Sequence, residues 1–125
     1  MAQITALAVS EPVRVDGQRV GDIINEMGEN AAQHVIGLAL EQLATALTAV
    51  EQALRDNDRA AASGHAERMS RLAWQIGLLS LAGVAMDLGS CIERGDEPAI
   101  AAIRARMLRV GNRSLTEIWD RPALP

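Results

Sequence analysis

Phenylalanine and tyrosine are absent from this 125-residue chain, lysine is absent too, and there are two tryptophans and one cysteine. Each scarcity excludes something. Without lysine there is no lysine Schiff base and no phosphate-loop lysine. A lone cysteine, Cys91, rules out an internal disulfide and points to a reducing cytoplasm. Cys91, His34 and His65 are thin material for a metal site, which usually takes four ligands. No apolar run approaches the ~20 residues of a membrane helix. Residues 1–10 lack the basic start of a signal peptide. Twelve basic residues, all arginine, stand against sixteen acidic ones, giving a net charge of −4. A general nucleic-acid binder would carry a basic surplus instead. Neither G-x-G-x-x-G nor G-x-S-x-G occurs, and no cofactor is called for.

What the chain does have is alanine, leucine and helical periodicity. Ile36, Leu40, Leu43, Leu47, Val50 and Leu54 recur at intervals of 4, 3, 4, 3 and 4, the packing seam of a bundle helix. Asn30, with Gln33 three residues on, reads as the cap of that helix, and Gly28 as the end of a shorter helix bearing Val20, Ile23, Ile24 and Met27. Asp56, Asn57 and Asp58 form a polar turn. A third helix spans about Arg59 to Ile76, with Met69, Leu72 and Ile76 inward. A fourth spans about Leu79 to Arg94, with Leu81, Val84, Ala85, Leu88 and Ile92 inward. Gly95 ends it and Asp96 caps a fifth helix, which tolerates Pro98 in its first turn and carries Ile100, Ile103, Met107 and Val110. Gly111 and Asn112 are candidates to break or bend that helix before Leu115, Ile118 and Trp119.

Short connections between amphipathic helices make antiparallel neighbours. The expected fold is all-α: an antiparallel four-helix bundle with a short extra N-terminal helix. Residues 1–17 are expected to be extended, with Ile4 to Val9 lying on the bundle or pairing with a partner, and residues 18–120 to form one domain. A coiled-coil dimer is the other fold open to such a pattern, and a homodimer remains open as an oligomeric state.

His65 is the first candidate for chemistry, since imidazole can serve as nucleophile or phosphoacceptor. It precedes Met69 by four residues, so helical phase turns it toward the core edge, where it would bond a backbone carbonyl. His34 reads as a surface residue and Cys91 as a small core residue. Glu67 points away from the seam, and Arg71 and Trp74 share its stripe at i+4 and i+7. The pair alone is an ordinary solvated face. A tryptophan on such a face should cover something, either a neighbouring helix or a partner protein.

The polar turn Asn57-Asp58, the Ile76-Gly77 pair, Leu81, Val84 and Leu88 at their intervals, and the closing Gly95-Asp96 together resemble a histidine-containing phosphotransfer (Hpt) domain. The likeness covers about Val13 to Trp119. It implies a helical intermediary of a bacterial two-component phosphorelay, with a response-regulator receiver domain or a histidine kinase as partner. In that family the phosphoacceptor histidine lies ten residues before the Gly, which here is Glu67. Ser70 stands where the family has a basic residue, and Arg71 and Leu72 replace its small residues. His65 is two positions early, a rotation of about 200° on a helix. A carboxylate forms no stable phosphoramidate. The resemblance therefore implies a docking module that does not carry phosphate, with Glu67, Arg68, Ser70, Arg71 and Trp74 as partner-binding residues and no catalytic residue. Two alternatives are an active phosphotransfer protein using His65, and a structural or dimerising bundle.

Overall fold

The computed structural model describes residues 12–118. They form an all-α bundle of five helices: α1 Gly17–Met27, α2 Glu29–Arg55, α3 Arg59–Gln75, α4 Leu79–Arg94 and α5 Glu97–Glu117. Among the described residues there is no strand, only an isolated bridge between Val15 and Leu78. Residues 12–16 are pinned over the α3–α4 turn. The Asp16 N–H donates to the Gly77 carbonyl at 2.7 Å, and the Leu79 N–H donates to the Arg14 carbonyl at 3.0 Å. Gly17 already opens α1, so the helix begins inside the stretch read as extended. The expectations for Ile4 to Val9 and Trp119 lie outside the described residues.

Local chemistry sets the helix ends. The Asp58 carboxylate accepts the Ala61 N–H at 3.1 Å and starts α3, and Asp96 does the same for Ala99 in α5 at 3.2 Å. Gly95 takes the left-handed conformation at φ 66° and stops α4. One expected cap is corrected. Asn30 lies within α2, which starts at Glu29 without a side-chain cap; Gly28, at φ 85°, is the joint between α1 and α2. Its backbone freedom lets the two helices meet with no turn residue to spare. A second correction concerns Gly111. α5 runs through Gly111 and Asn112 without a break, because Gly111 is buried where Leu47 and Leu81 press against the helix. A Cβ there would sit 3.6 Å from both leucines, an ordinary contact distance, so an alanine would fit as well.

The helices pair in two different ways. α3 and α4 meet through small residues: Ala66 faces Gly89, where an added Cβ would lie 4.0 Å from that of Ala66, and Ser70 faces Ala82. Small residues let backbones approach closely, and the Ser70 hydroxyl reaches across to donate to the Ala82 carbonyl at 3.1 Å. α2 and α5 meet instead through larger side chains, with Leu47 against the backbone at Gly111 and Glu51 paired to Arg104. The pairs Ser70 with Ala82 and Ala66 with Gly89, then Glu51 with Arg104 and Leu47 with Gly111, run in opposite senses along their helices, as antiparallel neighbours must. The inward face of α3 differs from expectation. Met69 and Ile76 are buried, but Leu72 is half-buried, and three alanines supply the rest of the seam. None of the helices described is long and apolar enough to cross a membrane.

Candidate functional site

The outward face of α3 carries the residues singled out above. Glu67 projects into solvent and accepts from Arg71 Nη1 at 2.9 Å, an i,i+4 pair with both side chains largely exposed. Such a pair contributes only about 0.5 kcal/mol to stability, so it is no anchor of the fold. Trp74 lies one more turn along the same stripe and is 67% exposed. The reading in which Trp74 packs beneath a neighbouring helix is thereby corrected. Arg68 is exposed but rotated about 100° from Glu67, toward α2 and away from α4. Ser70 is half-buried and committed to the Ala82 carbonyl. His65 is half-buried at the edge of the seam. The backbone carbonyl bond expected of its side chain is not formed: the His65 imidazole makes no hydrogen bond among the described residues.

Between α3 and α4, next to this stripe, runs an open groove of about 320 Å³. Its floor is Ala85 and Gly89, with Ser63 and Ser70 at the α3 side; Glu67 and Arg71 form one wall, and Met86, Ser90 and Glu93 the other. Met86 is 62% exposed, so two large apolar side chains, Met86 and Trp74, stand uncovered on this side of the bundle. The structure thus brings Glu67, Ser70 and Arg71 to one groove, places Trp74 on their stripe, and leaves Arg68 aside. Met86 and Glu93 were not found from sequence. Their only signal is their 4 and 3 spacing with Ser90 on the outer face of α4, and nothing in α4 alone says which helix it faces.

A second charged cluster lies at the end of the bundle where α3 and α5 begin. Arg104 donates to Glu51 Oε2 at 2.6 Å through both Nε and Nη2. The Glu51 bond holds the Arg104 guanidinium above the ordinary arginine range, against the opposing effect of burial. The other oxygen of Glu51 is buried without a partner. Arg59 pairs with Glu97 at 2.7 Å across the same end, and a small cleft of about 130 Å³ separates the two pairs. Every cation lining this cleft is engaged by a carboxylate of the chain, which makes it a structural clamp between α2, α3 and α5. Among the described residues no three His, Cys, Asp or Glu side chains converge as metal ligands do. Cys91 is buried, with Arg94 Nη2 donating to its sulfur at 3.3 Å.

Comparison of the chain with protein-family models, curated proteins and solved structures returns no match.

Proposed function

We propose that this chain is a non-catalytic, Hpt-like docking module of a two-component phosphorelay, holding a receiver domain on its α3–α4 face without carrying phosphate itself. The observation that supports this best is the outward Glu67 at the position of the family's phosphoacceptor, paired with Arg71 beside a groove rimmed by exposed apolar side chains. A carboxylate there offers a receiver one negative charge and two acceptor oxygens, a partial imitation of phosphohistidine. Trp74 and Met86 supply the apolar contact area that concentrates interface energy. His65, turned to the core edge, is poorly placed to take a phosphoryl group in line. A cytoplasmic setting goes with this reading, as does the single reduced cysteine.

The test is incubation with a phosphorylated receiver domain, followed by mass spectrometry under the alkaline conditions that preserve phosphohistidine, and calorimetry on the same pair. Binding without label is the expected result. Stoichiometric label on His65 would make the chain an active phosphotransfer protein, and absence of both binding and label across a panel of receivers would remove it from the phosphorelay.

A further inference from the structure

We infer that the groove between α3 and α4 receives a helix of the partner that carries an apolar side chain and, two turns along the same face, an arginine or lysine. The inference rests on the docking reading above and specifies what the docked element looks like.

Charge decides the basic residue. The groove holds one cation, Arg71, and two carboxylates, Glu67 and Glu93, which leaves one negative charge. Arg71 is taken by Glu67. Glu93 forms no ion pair among the described residues. The cations at its end of the helix are engaged elsewhere: Arg59 by Glu97 at 2.7 Å, and Arg94 against the Cys91 sulfur at 3.3 Å. An incoming cation therefore meets a free carboxylate, whereas an incoming anion meets like charge.

Spacing decides the rest. Met86 and Glu93 are seven residues apart on α4, about 10.5 Å along the helix. α3 runs the other way, and the register set by Ser70 on Ala82 and Ala66 on Gly89 puts Glu67 level with Met86, Trp74 beyond them toward the Gly77 turn, and Glu93 at the other end, toward the end of α4. A helix lying in the trough presents residues i and i+7 on one face, separated by the same distance. The floor of Ala85 and Gly89 admits a close approach, and a methionine on the rim adapts its shape to the apolar residue it meets. An extended strand would alternate its side chains out of the trough and offers no backbone pairing here, because α3 and α4 have no free edge.

The experiment uses the full chain, ¹⁵N-labelled, titrated with a helical peptide of about 15 residues that carries leucine at i and arginine at i+7. Two control peptides replace the arginine by glutamate or the leucine by serine. The arginine peptide is expected to perturb amides of residues 63–74 and 85–93 and to bind about tenfold more tightly than the glutamate peptide at low salt, a gap that narrows at high salt. Glu93→Gln, an exposed substitution, should close most of that gap. Equal binding of the arginine and glutamate peptides, or an unchanged gap in Glu93→Gln, overturns the inference. If a receiver domain still perturbs the same amides, the docking reading survives that failure; if it does not, both fall. Shifts of these amides with protein concentration alone would assign the groove to a second copy of the chain, and would also overturn the inference.

Discussion

Glu51 is the residue whose placement costs most. It is 8% exposed, and one carboxylate oxygen has no partner. Burying a charge is tolerable only when a countercharge comes with it, and Arg104 supplies one through two bonds to the other oxygen. Removing Arg104 leaves that charge stranded. Complete burial would make the loss about 3–5 kcal/mol, but the Arg104 side chain is 39% exposed, so water softens the penalty. Arg104→Ala should cost about 2 kcal/mol, measured by urea denaturation, and combining it with Glu51→Leu should restore most of the loss. Failure of the second substitution to rescue the first would mean that the packing of the arginine stem, not charge, is what matters. The sign of the pH dependence follows from the same bond. A cation whose folded pKa is raised stabilises at every pH below its unfolded value and loses that contribution only as pH climbs through the folded one. For Arg104 that window lies beyond the ordinary arginine range, so its side of the pair gives no change in stability between neutral and moderately alkaline pH.

At the scale of the helix, what distinguishes α3 and α4 is how little side chain separates them. Ala66 is fully buried, and Gly89 faces it with no Cβ. Ala66→Leu therefore has no space to fill. It should cost about 1–3 kcal/mol by forcing the helices apart, whereas a leucine at the exposed Ala44 on α2 should be nearly neutral. Comparable losses at the two positions would show that α3 and α4 are not packed as closely as described. The same alanines explain why only part of this architecture was legible in the sequence. The leucine seam of α2, the acidic caps Asp58 and Asp96 and the Gly95 stop stand out because each residue type has one strong preference. Alanine has none that marks a side: it is a good helix former on either face, so Ala62, Ala66 and Ala73 gave no phase, and the inward direction of α3 was drawn through Leu72 instead. Gly111 misled for a related reason. An isolated glycine costs a helix only about 1 kcal/mol, which burial of the helix's apolar face outweighs once the tertiary structure forms. The candidate site divides along the same line. The stripe of Glu67, Arg71 and Trp74 belongs to one helix and follows from its period. The wall of Met86 and Glu93 depends on how α4 rotates against α3, and pairwise packing decides that.

For the whole molecule the question is whether the α3–α4 face maintains the bundle or meets another protein, and Trp74 separates the two. About a third of its surface is covered, since it is 67% exposed. A tryptophan buries roughly 200 Å² when fully enclosed, so at about 25 cal/mol/Å² the covered third is worth about 1.5 kcal/mol as an upper estimate. Alanine returns about 0.5 kcal/mol through its better helix propensity. Trp74→Ala should therefore lower stability by about 1 kcal/mol, a shift of several degrees in Tm for a domain of this size, against the 3–5 kcal/mol typical of a core tryptophan. Affinity for a receiver domain should fall much further, by about 2 kcal/mol or more, roughly thirtyfold, because an exposed aromatic gains its full burial only in the complex. Arg71→Ala makes the useful contrast. It breaks an exposed pair with Glu67 at 2.9 Å, so its effect on binding should be smaller and should fade as salt is added. Stability and affinity are to be measured on the same preparations, with affinity expressed per folded molecule. A Trp74→Ala protein that melts only a few degrees lower yet binds thirtyfold more weakly assigns this face to a partner. One that loses stability heavily and keeps its affinity assigns the tryptophan to the bundle, and the docking surface would then have to be sought on another face.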